Sequence, residues 1–411
     1  MTIVRTPGYV MTEHHFTVPL NHRTPTGETI TVFAREVADP DGRDRPYLVY
    51  LQGGPGQESP RPTKYPATPG WLERALRDYR ILLLDQRGTG LSTPVQTPLA
   101  GTAAEQAEYL THFRADSIVA DAEHIRAQLG GQPWSVLGQS FGGFTTLAYL
   151  STAPEGLREA FFTGGLPPIA THPDEIYRTT YEKMALRSRM YFERYPGDAE
   201  RVRKIHRRLA DDDVRLPNGD RLTGRRFRQL GHLLGMSDGA ERLHYLLERD
   251  VDATAFRYDA LALTPFDGRN PLYAVIHESS YADGFATRWS AERTLPTEFE
   301  DDVELFTGEH VYSWMFDEYQ DLRPWKDTAN LVADHEWPAL YDAEVLAKNE
   351  VPTAAVIYAD DPYVEREFSL DTAAQVRGLR PWLTNEFEHN GLRSSGGIIL
   401  DRLINLARGS A

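Results

Sequence analysis

Three apolar runs, each closed by a glycine-rich loop, constrain this chain more than any other feature. They are "YLVYLQGGPG" (Tyr47–Leu51 and its loop), "ILLLDQRGTG" (Ile81–Leu84 and its loop) and "WSVLGQSFGG" around Ser140. Runs without polar alternation suit strands covered on both faces, hence a parallel sheet with helices on either side. The intervening "DSIVADAEHIRAQLGG" supplies one such helix. Ile118, Ile125 and Leu129 share a face, Asp116 or Ser117 is a candidate cap, and Gly130 ends it. Upstream, "HHFTVPLNHRTPTGETITVFAREV" alternates around a Thr-Gly turn and reads as a hairpin. "EAFFTGG" reads as a further strand.

From about Pro167 to about Trp337 the texture changes. "DEIYRTTYEKMALRSRMYFERYPGD" and "RRFRQLGHLLGMSDGAERLHYLLERD" are charged and helical, with no convincing buried strand. Strand character returns in "PTAAVIYADDPYV" and "PWLTNEFEHNG", and "GGIILDRLINLARG" closes the chain as a helix. The expected organisation is a doubly wound, mostly parallel α/β core, 1–166 and 338–411, interrupted by an inserted helical cap, 167–337.

Composition excludes several function classes. Over 411 residues the net charge is −16, which disfavours nucleic acid and anionic membrane as partners. With no cysteine, thiolate metal sites and cysteine nucleophiles are impossible. No apolar run is long enough for a membrane helix or a leader peptide, so a cytoplasmic protein is expected. "GGPGQESP" does not match a dinucleotide fingerprint, and no metal cluster or phosphate loop is visible; no cofactor is expected.

Gly138 and Gly142 flank Ser140 at the Gly-x-Ser-x-Gly spacing of a nucleophile elbow, a strained strand-to-helix turn that exposes a serine hydroxyl. A serine nucleophile needs a base, an acid that orients the base, and donors for the oxyanion. The chain order that accompanies this elbow is serine, acid, histidine. Of 13 histidines, His389 alone follows the "AAVIYADD" strand, in a polar loop past the next strand. The acid is Asp361 or Asp360; Asp361 is preferred because it leaves the strand just before a proline turn. Backbone amides of Gly53 or Gly54, with that of Phe141, are positioned to serve an oxyanion, Gly54 and Phe141 being preferred.

Together "GGPG" after a strand, "DQRGTGLS", "GQSFGG" and the late "DD…H" resemble the proline iminopeptidases (prolyl aminopeptidases) of the α/β-hydrolase superfamily. The resemblance covers about Tyr47–Thr163 and Val351 to the end, and more loosely the insertion. It implies a serine aminopeptidase acting on peptides with a free N-terminus, preferably proline. Two positions depart from the pattern: Gln52 stands where the family usually has histidine, and Phe141 where it has tryptophan. Both line the site and bear on substrate choice. The resemblance further implies cap carboxylates that hold the substrate's ammonium. Glu278 with Tyr281 matches a Glu-x-x-Tyr motif, and Glu309 lies in "ELFTGEHVYSWMF"; Glu278 is the preferred contact. Asp85 and Arg87 read as structural ties. A carboxylesterase with the same triad is the alternative, and a non-catalytic binding protein is disfavoured because every triad role has a candidate. Epoxide hydrolase and dehalogenase chemistry is disfavoured because those enzymes carry aspartate at the elbow.

Overall fold

A computed structural model describes residues 2–95, 99–266 and 268–410. Its main sheet has nine strands: β1 (Thr2–Thr6), β2 (Tyr9–Pro19), β3 (Thr29–Ala38), β4 (Tyr47–Leu51), β5 (Arg80–Asp85), β6 (Trp134–Gln139), β7 (Leu157–Thr163), β8 (Thr353–Tyr358) and β9 (Leu379–Thr384). The spatial order is β1-β2-β3-β5-β4-β6-β7-β8-β9. The first three strands and β5 pair antiparallel, and every pairing from β5 onward is parallel. The short edge strand β1 was not legible in the sequence, since five residues give too little alternation.

The apolar runs are buried on both faces because successive side chains alternate. Leu48 and Tyr50 of β4, Ile81 and Leu83 of β5, and Ala354 and Val356 of β8 belong to one apolar cluster. Val49, Leu51, Leu82, Leu84, Ala355 and Ile357 belong to the other. The first cluster is closed by the terminal helix Ile398–Arg408 through Ile399, Leu400, Leu403 and Ile404. The second is closed by the helices Ala115–Gln128 and Phe141–Thr152. The former of these starts at Ala115, ahead of both candidate caps. Arg114 holds the N-cap position without capping the helix through its side chain, and Asp116 and Ser117 fall inside the first turn.

Among the described residues, no strand of the main sheet lies between Thr163 and Thr353. Helices fill that interval, the longest being Pro173–Arg194. Asp85 and Arg87 tie the core loops. Asp85 takes both guanidinium arms of Arg61 (2.8 and 2.6 Å) and the amides of Ser59 and Leu91 (3.1 and 2.9 Å). Arg87 donates to Asp121 and to the carbonyls of Pro19, Leu20 and His112. No helix among the described residues is long and apolar enough to cross a membrane.

Candidate active site

Ser140 sits between β6 and the helix Phe141–Thr152 with φ 55° and ψ −125°. An L-residue tolerates this backbone only when its surroundings over-determine it. Here they do. The Ser140 amide donates to the Thr163 carbonyl at 3.0 Å, and a Cβ at Gly142 would overlap the Leu51 carbonyl at the end of β4. The glycines flanking the serine are therefore what let strand, loop and helix converge. The loop after β4 completes the approach. A Cβ on Gly53 would stand 2.9 Å from that of Ser140, whereas Gly54 turns toward Gln57. It is thus Gly53 that lies directly against the serine, with Gly54 next along the same turn.

The other two groups come from the far strands. Asp361, just past β8, is 1% exposed, while neighbouring Asp360 is exposed. One Asp361 oxygen accepts the amides of Tyr363 (2.9 Å) and Val364 (3.2 Å); the other meets His389 Nδ1 at 2.7 Å. His389 lies in the loop past β9. Its amide donates to Gly235 of the cap (3.1 Å), its carbonyl accepts from Gln139 beside the serine (3.3 Å), and the Tyr363 ring stands edge-on at 4.8 Å. Gly164, which follows β7, backs onto the same imidazole. Burial pulls the His389 pKa down, but the charge and hydrogen bond of Asp361, aided by the charge of Glu309, leave it above the ordinary value.

The cap lays aromatic rings and two glutamates over this centre. Tyr281 packs edge-on against Phe144 of the elbow helix at 5.3 Å and donates its hydroxyl to the Tyr363 carbonyl at 3.0 Å. Glu278, in the same turn, is 6% exposed and accepts the amides of Ser290 (3.1 Å) and Ala291 (2.9 Å), one on each oxygen. Glu309 accepts the Tyr273 hydroxyl and retains partial access. Burial raises both carboxyls to about 7. For Glu278 the Ala291 amide is the main opposing influence, and for Glu309 it is the Tyr273 hydroxyl followed by His389. Gln52 is tied into its own loop: Tyr50 donates to its side-chain oxygen at 2.6 Å, and Gln86 to its carbonyl at 3.1 Å.

The α/β hydrolase fold family matches residues 46–390. A proline iminopeptidase of Aeromonas sobria is 47% identical over 412 aligned residues, covering 96% of each chain. One of Aspergillus aculeatus is 34% identical, over 97% of this chain and 94% of that one. One of Xylella fastidiosa is 32% identical, but over only 32% of this chain and 36% of its own. This chain belongs to the proline iminopeptidases of the α/β hydrolase fold.

For a proline iminopeptidase, the site contains several groups that sequence reading did not single out. Tyr273 orients Glu309, and its only sequence signal is its place in "NPLYAVIHESSY", ahead of Glu278. Tyr177 is 1% exposed, its hydroxyl has no hydrogen-bond partner among the described residues, and its ring stands 5.7 Å from that of Tyr281. It reads in the sequence as an ordinary apolar-face position of a long helix. Tyr363 buttresses both Asp361 and His389. Phe141 contributes its ring to the wall beside Phe144 (6.3 Å) while its amide opens the helix behind Ser140. Among the described residues no cluster of side chains could hold a metal ion.

Proposed function

We propose that this chain is a serine aminopeptidase that releases an N-terminal residue, preferably proline, from peptides. The observation that carries the mechanism is the Asp361–His389 pair at 2.7 Å, buried beside the Ser140 elbow and within reach of the Glu309 charge. In this reading Ser140 Oγ attacks the carbonyl of the N-terminal residue while His389 Nε2 takes its proton. Asp361 fixes the tautomer through Nδ1–H and stabilises the imidazolium. The oxyanion is held by the Phe141 amide and an amide of the Gly53–Gly54 turn, at the positive end of the elbow helix. His389 then protonates the leaving amine as the C–N bond breaks. Water, deprotonated by the same ring, attacks the acyl-enzyme, and the imidazolium gives that proton to Ser140 Oγ as the ester C–O bond breaks.

The cap supplies selection. A substrate ammonium entering an apolar pocket requires a charged partner to offset its desolvation. Glu309 meets this need most directly, because it keeps partial access and its charge is felt by His389. Glu278 lies one layer back, with both oxygens already bound to backbone amides. The expected order of the two is therefore reversed: Glu309 takes the ammonium, and Glu278 sets the wall behind it. Tyr281 offers its ring rather than its hydroxyl, and Gln52 braces the oxyanion loop.

The test is a comparison of kcat/KM for proline, alanine and leucine arylamides with that for a simple acyl ester. The proposal expects proline first among the arylamides and the ester well below it. Preference for the ester would identify a carboxylesterase instead.

A further inference from the structure

In the stretch "EHNG" the base His389 is flanked by Glu388 and Asn390, two polar side chains with no part in the mechanism above. All three close the loop 385–390, which joins the edge strand β9 to the short helix Gly391–Ser394. A loop in such a place is ordinarily among the more mobile parts of a fold. General-base catalysis allows it little freedom, since a misplacement of about 1 Å can cost about a hundredfold in rate.

The three triad amides are held from different sides. Those of Ser140 and Asp361 donate within the core, to Thr163 (3.0 Å) and Tyr358 (3.4 Å), whereas that of His389 donates to Gly235 of the cap (3.1 Å). The residues on either side of the base repeat this. Glu388 takes the guanidinium of Arg187, on the helix Pro173–Arg194, at 2.8 Å. The same guanidinium holds the Leu234 carbonyl through two nitrogens, at 2.8 and 2.5 Å. The two side chains of this ion pair are 13% and 28% exposed, so solvent screens it less than an open surface pair. Asn390 occupies the N-cap position of its own helix, where asparagine ordinarily binds a helix amide, yet it makes no such bond. Its Oδ1 instead accepts the Ser237 amide (2.9 Å) and the Ser237 hydroxyl (2.8 Å). Leu234, Gly235 and Ser237 belong to one stretch of cap chain, and Gly235 lets it come close: a Cβ there would overlap the ring of Tyr363, which stands edge-on to His389.

We propose that the cap positions the general base: Arg187 through Glu388, and Ser237 through Asn390, hold the loop on both sides of His389 and keep its imidazole in register with Ser140. On the serine mechanism proposed above, these are positioning residues, acting on the reaction only through the loop. A core whose cap is not seated would carry its serine and acid in place and its base out of register. Turnover is thereby tied to the same cap that selects the substrate.

The experiment measures three quantities in Arg187→Met and Asn390→Ala: kcat and KM on proline arylamide, hydrolysis of an uncharged acyl ester, and inactivation by diethyl 4-nitrophenyl phosphate. The phosphate ester has no ammonium, so its rate reads the Ser140–His389 pair without the amine contact. Each variant should lose about ten- to a hundredfold in kcat, in ester hydrolysis and in inactivation alike, with KM changed by less than about twofold. A merely structural role would lower the melting temperature without this uniform kinetic loss at temperatures well below it. Arg187→Lys, which keeps a cation for Glu388, should recover most of the lost rate. If Arg187→Met does not fold, Glu388→Gln removes the charge from the same pair at nearly constant size and should show the same pattern. Values of kcat and inactivation within about twofold of the parent, in Asn390→Ala or in the variant used for the ion pair, overturn the proposal. So does an equal loss in Arg187→Lys, or a rise in KM with kcat unchanged, which would put the effect in substrate binding. A parent that the phosphate ester fails to inactivate overturns the serine mechanism, and the positioning role with it.

Discussion

The core and the cap position their functional groups by different means. In the core, Ser140, Asp361 and His389 each follow the C-terminal end of a parallel strand, and main-chain hydrogen bonds hold the turns that carry them. In the cap, Glu278 and Glu309 lie in short turns and loops, oriented by Tyr273, by the start of the helix Ser290–Arg293 and by stacked rings. The imidazoles around the two sets of groups also differ. Burial drives the cap imidazoles His232 and His310 down to about 3 and His277 to about 4, while the core imidazole His389 is raised by its acid partner. The Ser140 side chain can be shortened while the main-chain bonds that shape its turn stay in place. Groups fixed by side-chain packing couple selection to stability.

The sharpest test of the core half is Ser140→Ala. It should lower kcat on proline arylamide by about 10⁴-fold or more and leave the melting temperature near that of the parent. Near-normal turnover would remove the serine mechanism altogether. Asp361→Asn should come next, with a loss of roughly 10³- to 10⁴-fold, because the imidazole loses its tautomer and its counter-charge. The control is Asp360→Asn, whose exposed side chain should cost no more than about twofold; a larger loss there would shift the acid to Asp360.

The cap half is tested by comparing its two glutamates. Glu309→Gln should lower kcat/KM for proline arylamide by about a hundredfold and affect an uncharged acyl ester far less, since only the amine-bearing substrate loses a charged partner. Glu278→Gln should lower both kcat/KM for the arylamide and the melting temperature, by several degrees, because an amide cannot accept the Ser290 and Ala291 N–H groups on both of its ends. Equal, purely kinetic losses in the two variants would put both carboxylates in direct contact with the ammonium.

The smallest expected effect is in pH dependence. A carboxyl raised to about 7 by burial contributes stability that is fully present below its unfolded value of 4.5 and is lost as pH rises through about 7. Glutamine has no such loss. The melting temperature of Glu309→Gln relative to the parent should therefore rise by roughly 2–4 °C between pH 5 and pH 8. In the parent, kcat/KM for the arylamide should climb over the same interval as Glu309 ionises and His389 deprotonates, so activity and this part of stability slope in opposite directions. A melting difference that does not change with pH would mean that Glu309 ionises as an ordinary exposed carboxyl.

Much of the core was legible in the sequence because its rules are local. A run such as "YLVYL" with no polar alternation suits a strand covered on both faces, and Gly-x-Ser-x-Gly at the end of a run of that kind leaves few conformations for the serine. The order of serine, acid and histidine then pointed to Asp361 and His389 without any spatial information. Residue type and spacing along a single strand or turn determined these positions. The tertiary structure decided everything that depends on which strand ends and loops meet. It placed Gly53 rather than Gly54 against Ser140, put Arg114 rather than Asp116 or Ser117 at the helix start, and paired Tyr273 with Glu309. It also distinguished two cap glutamates that look alike in the sequence. Glu278 and Glu309 have similar apolar surroundings along the chain, but their access and hydrogen-bond partners come from segments 12 or more residues away. Desolvation and partner geometry are properties of packed neighbours, so no local pattern carries them.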